Sequence, residues 1–157
     1  MNMENERKRA WLMRYNLAVD RLNQTETELR KARTIGARAI VYDDMPHGSP
    51  EPHGLETYAI QLEQKIDACN RAESEAHRIH DEVLGAINRL PRPQRDVMFY
   101  RYVCFEQTST EHRAGLYGSR QLSWQEIADT MSYSVDRVAH IHGEALAQLE
   151  VPNVDRH

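Results

Sequence analysis

Asp136, Arg137 and His140 stand close together near the end of the chain, with Ser134 just before them and Gln125 further upstream. These are side chains that can read a DNA duplex. An arginine can pair with the O6 and N7 of guanine, and an aspartate can accept from the N4 amino group of cytosine. His140 can reach a base edge or a phosphate. Gln125 and Ser134 can bind phosphate oxygens, contacts that set register without carrying sequence information. The plainer reading is that Asp136 and Arg137 are solvated charges on an ordinary helix. What separates the two readings is how the chain around them is built.

The run Ser123 to Val138 reads as two short helices joined by a tight turn. Ile127, Ala128 and Met131 are apolar at helical spacing, and the small Ala128 permits a second helix to approach closely. Ser132 and Tyr133 interrupt the pattern. Ser134 is placed to cap the next helix by accepting from a free backbone N–H. Val138, Ile141, Ala145, Leu146 and Leu149 then form one buried stripe, leaving Val135, Asp136, Arg137, Ala139, His140 and Glu144 to face outward. In a helix-turn-helix the second helix enters the major groove while the first braces it.

The expected fold is all-α. From about Glu4 to Arg38 the chain is rich in helix formers, and Trp11, Tyr15, Ala18, Leu22, Thr25, Leu29 and Ala32 make a thin heptad-like seam. A second helix is expected from about Leu55 to Arg89, with Leu62, Ile66, Cys69, Ala76, Ile79, Val83, Ile87 and Leu90 on its apolar face. Three prolines and two glycines between residues 43 and 54 predict a loop between them. Residues 1–90 thus read as an antiparallel helical hairpin, whose weak seam leaves room for a homodimer through these N-terminal helices. Residues 91–157 read as a second domain. A helix is expected from about Pro93 to Val103, then a long loop over 104–121, then the two short helices.

Charge sets limits. Of the 157 residues 28% are charged, and the formal net charge is −4. Residues 1–40 hold nine Arg/Lys against five Asp/Glu, residues 41–90 four against ten, and residues 91–157 seven against nine. The C-terminal part is therefore no general basic patch, and its non-specific affinity for phosphate should be weak. No apolar run approaches the roughly 20 residues of a membrane span. Two distant cysteines fit a reducing, cytoplasmic setting.

The stretch Arg89-Leu90-Pro91-Arg92-Pro93-Gln94-Arg95-Asp96-Val97-Met98-Phe99-Tyr100-Arg101-Tyr102, taken with Glu126, Ile127, Ala128, Ser134 and Val138, resembles region 4 of bacterial sigma-70-type factors. The chain also resembles sigma-region-4-like proteins of phages and prophages in Gram-positive hosts, which share an ending like His142-Gly143-Glu144-Ala145-Leu146 and a linker like Asp44-Met45-Pro46-His47-Gly48. The resemblance implies a DNA-binding regulator of phage or prophage transcription, with RNA polymerase as a further partner. With no counterpart of the region that melts promoter DNA, it implies a regulator rather than a complete sigma factor. It also implies a structural arginine at Arg101, paired with an acid of the next helix such as Glu126.

Two rival readings stand beside this one. In the first, the sigma-like part binds RNA polymerase or a host sigma factor and DNA contact is secondary. In the second, the chain is a helical assembly protein. Other chemistry finds little support. His77 and His80 share a helix face beside Asp81, but no further ligand completes a metal set. There is no phosphate-cradling glycine loop, nucleophile elbow or His-Glu-x-x-His run, so neither an enzyme nor a cofactor is expected.

Overall fold

The computed structural model describes residues 2–43 and 52–152, which form six helices. Helix α1 spans Met3–Asp43 and α2 spans Pro52–Asn88. Arg14 meets Glu82, Glu26 meets Cys69, and Glu28 meets Lys65, so the two run antiparallel. The expected hairpin is present, with both helices reaching further into the linker than its prolines suggested. Pro52 starts α2, where the missing N–H has no intrahelical partner to lose. Residues 44–51 of the expected loop lie outside the described residues.

Helices α3 (Gln94–Tyr102), α5 (Trp124–Met131) and α6 (Val135–Gln148) follow. The stretch 104–121, expected as an unbroken loop, is more ordered than that. Helix α4 occupies Ser109–Ala114, opened by a capping box in which Thr108 and Glu111 exchange side-chain and backbone hydrogen bonds. Such boxes satisfy two otherwise unpaired N–H groups. Beyond α4 the chain returns, and Glu106 and Arg120 bridge in antiparallel fashion. A Cβ on Gly118 would lie 2.9 Å from backbone atoms of Phe105, Glu106 and Gln107, so only glycine fits that crossing.

This segment lies along α1. Asn23 is buried, donates from Nδ2 to the Tyr117 carbonyl at 2.9 Å, and accepts from the Tyr117 N–H at 2.9 Å. Asn16 donates to the Ser119 carbonyl, and Tyr15 stacks on Phe105. Replacing Asn23 with Ala would leave two half-buried backbone groups without partners. We expect Asn23→Ala to lower stability by about 1–3 kcal/mol in urea titration, more than an exposed polar-to-Ala change would.

The seam expected on α1 faces α2, with Trp11, Ala18, Leu22 and Leu29 buried. The larger core cluster does not stop at the hairpin. It continues through Leu12, Val83 and Ile87 to Met98 and Tyr102 of α3, and on to Ala145, Leu146 and Leu149 at the end of α6. Lys8, itself buried, donates from Nζ to the carbonyls of Leu146 at 2.7 Å and Ala147 at 3.4 Å. A cation there satisfies carbonyls at the negative end of the α6 dipole. A second cluster, Val97, Leu122, Ile127, Ala128, Val138 and Ile141, holds α3, α5 and α6 together.

Candidate nucleic-acid interface

The starts of helices α5 and α6 are set by local hydrogen bonds. Ser123 accepts from the Glu126 N–H at 3.1 Å while Glu126 accepts from the Ser123 N–H at 3.1 Å, a capping box that starts α5. Ser132 ends α5 in the left-handed region at φ 60°, and the Tyr133 N–H returns to the Ala128 carbonyl at 3.0 Å. Ser134 then caps α6, accepting from the Arg137 N–H at 3.1 Å. Three residues therefore join the two helices. Ala128, fully buried, sits where they meet.

Val138, Ile141, Ala145 and Leu146 are buried, as the sequence led one to expect, and Val135, Asp136, Arg137, Ala139, His140 and Glu144 are exposed. The five candidate side chains differ in how free they are. Arg137 lies over the Tyr133 ring, its Cζ 4.5 Å from the centroid. That contact orients the guanidinium without consuming its hydrogen-bond donors. Asp136 is exposed in the first turn of α6. His140 is turned along its own helix toward Glu144, Nε2 to Oε1 2.9 Å. Gln125 donates to Asp129 at 2.8 Å. The Ser134 oxygen is occupied as a cap acceptor, so it can still only donate to a phosphate. Asp136, Arg137 and His140 share the outer side of α6, whereas Gln125 stands on α5.

Three features behind this surface were not legible as such. The pairing of Arg101 with Glu126 suggested by resemblance is replaced by another arrangement. Arg101 donates to the Leu122 carbonyl at 2.6 Å and lies 4.3 Å over the Trp124 ring, where desolvation lowers its pKa. Glu126 is instead held by Arg120, with two bonds of 2.9 Å, and Arg120 also pairs with Glu106. Hydrogen bonds from Arg120 and from Ser123 hold the Glu126 carboxyl down at about 2. The third feature is His142, buried on the inner side of α6. Its Nε2 lies 2.7 Å from the Tyr102 hydroxyl and its ring meets the Trp124 ring edge at 4.8 Å. Burial, then the nearby cations Arg9 and Arg101, push His142 down to about 4.

His77 and His80 of α2 have other partners: His77 faces Glu73, and His80 faces Asp81 and Tyr15. Among the described residues, no three His, Cys, Asp or Glu side chains are grouped to hold a metal ion, and no helix is long and apolar enough to cross a membrane.

The exposed charges of α5 and α6 are Asp129, Asp136 and Glu144 against Arg137. A phosphate backbone approaching this surface thus meets one guanidinium and several carboxylates. Comparison with known proteins yields no match to a family model, a curated protein or a solved structure.

Proposed function

We propose that the protein is a sequence-specific regulator of phage or prophage transcription that binds double-stranded DNA through α6, in the manner of a helix-turn-helix. One observation carries this reading. A capped three-residue turn sets α6 against α5 with its apolar stripe inward, leaving Asp136, Arg137 and His140 together on the outer side. That leaves base-reading side chains in the first turns of the second helix, the part of a recognition helix that meets base edges. The all-helical architecture and the resemblance of residues 89–149 to sigma region 4 support it. Ser134 and Gln125 would position the helix on phosphates, and Arg137 is the main determinant of specificity.

The test is selection of bound sequences from random duplex DNA, followed by affinity measurement on the enriched site. Arg137→Ala is expected to weaken the specific complex by about 1–3 kcal/mol and relax preference at one base position. Its melting temperature should stay close to that of the parent, because the side chain is exposed. Equal affinities of parent and variant would withdraw Arg137 from the interface.

The acidic outer surface of α5 and α6 favours a second reading, in which this part of the chain binds RNA polymerase or a host sigma factor. Salt separates the two. A DNA reader loses affinity steeply as salt rises, in proportion to the phosphates it neutralises, even without polymerase. A polymerase-binding module shows no such polymerase-free DNA binding.

A further inference from the structure

Helix α1 has three sides, and two are covered. One packs on α2 through Trp11, Ala18 and Leu22, and another takes the 104–121 segment through Asn16 and Asn23. The third side, together with α2, borders an open groove of about 520 Å³. Its floor is apolar and shallow because the residues there are small, Ala18, Ala68 and Ala72, with Ile79 at one end. Leu17 stands at its edge 62% exposed. Arg14, Arg21 and Arg71 surround it, and the groove continues past Thr25 and Lys65 toward Ile35, which is 64% exposed.

The charges say what fits. Five cations line the groove along its length and two carboxylates, Glu28 and Glu75, do so. Both carboxylates already have cations, Lys65 and Arg78. Arg14 is paired with Glu82, but Arg21 and Arg71 are exposed and in no ion pair among the described residues. A two-fold dimer through this groove would bring two cation-rich surfaces together. The apolar floor does not suit a nucleic-acid backbone, which would need polar contact along its length.

We infer that the groove takes an acidic amphipathic helix from another protein, its apolar face on Leu17 and Ala68 above the buried alanine floor and its carboxylates on Arg21 and Arg71. From Arg14 to Ile35 the groove is about 30 Å long, matching a helix of about 20 residues. The added helix would convert the hairpin into a three-helix bundle and bury Leu17. Helix-in-groove recognition of this kind is read through apolar anchors at i, i+3 or i+4, and i+7. This inference does not depend on DNA binding by α6.

The test is selection on the full chain from a yeast-displayed library of 20-residue helix-forming peptides, with the winners synthesised and measured by fluorescence anisotropy. Enriched peptides are expected to carry Leu, Ile or Met at those spacings flanked by Asp and Glu. They should bind the Arg21→Glu/Arg71→Glu chain at least tenfold more weakly, and should fail when their own acids become Lys. Far-UV circular dichroism confirms that the doubly substituted chain folds, and Leu17→Lys gives an independent block of the same groove. Enriched peptides without the acidic amphipathic pattern, or equal binding to parent and both variants, would overturn the assignment. So would a dimer in sedimentation that Leu17→Lys dissociates, because a second copy would then own the groove.

Discussion

Leu146→Ala is expected to destabilise the whole chain by roughly 2–5 kcal/mol, and the N-terminal hairpin should unfold along with α6. Leu146 is 1% exposed, and it belongs to the core cluster that also contains Leu12, Val83 and Ile87. Truncation removes buried methyl groups and leaves a cavity that the surrounding long helices, anchored elsewhere, cannot easily close. The two tryptophans make the second half of this expectation measurable. Trp11 lies in the hairpin and Trp124 at the start of α5, so Trp11→Phe and Trp124→Phe chains report one part each. In urea the two single-tryptophan chains should give midpoints that Leu146→Ala lowers together. If only the Trp124 signal shifted, the halves would unfold independently and the shared core would not couple them.

The coupling explains what the sequence could and could not reveal. Periodicity exposed the α2-facing seam of α1 and the buried stripe of α6 because each is a single apolar face on a single helix. The second buried side of α1 was hidden. It contains Leu12 and Val19, but also Lys8, Asn16 and Asn23, polar residues whose partners are backbone groups more than 90 positions away. No local pattern marks an asparagine that will hold a distant loop. Helix α4 escaped for the opposite reason. It is six residues long with no buried side chain, so it has no apolar period, and its one sequence signal is the Thr108-x-x-Glu111 box.

In the candidate interface the same division holds. Ser123, Glu126, Ser132 and Ser134 shape the turn through bonds within a few residues, and so their spacing was readable. Arg120 lies between Glu106 and Glu126 only because the chain folds back at residues 104–121, and Arg101 took the Trp124 ring in place of Glu126. Electrostatics follows from this. With Glu126 tied to Arg120, the outer surface of α6 keeps Asp136 and Glu144 near Arg137, so sequence preference has to come from few contacts rather than from a strong general attraction.

Acid should loosen this interface before it breaks the Arg120–Glu126 pair, and His142 is the cause. Its folded pKa near 4 lies below the ordinary histidine value of 6.5 because the ring is buried and because Arg9 and Arg101 oppose a positive charge there. In the unfolded chain the imidazole takes up a proton at about 6.5, whereas in the folded chain it stays neutral to about 4. The unfolded state therefore binds more protons between these values, and stability falls as pH falls through that window, levelling off below it. The full difference is on the order of 3 kcal/mol, of which about 2 kcal/mol is gone by pH 5. The carboxyl of Glu126, held at about 2 by Arg120 and Ser123, titrates below that window, so its pairing with Arg120 persists at pH 5. The Tyr102 hydroxyl, pushed up by burial, stays protonated throughout and can donate to the neutral Nε2 at 2.7 Å. His142→Gln keeps an acceptor near Tyr102 and removes the titration. Urea midpoints measured from pH 8 to pH 5 should fall steeply for the parent and remain nearly flat for His142→Gln, even if the variant is less stable at pH 8. Parallel curves for the two chains would mean that some other group carries the acid sensitivity. The flat curve would place it at the point where Tyr102 of α3, Trp124 of α5 and His142 of α6 meet, directly behind the surface proposed to read DNA.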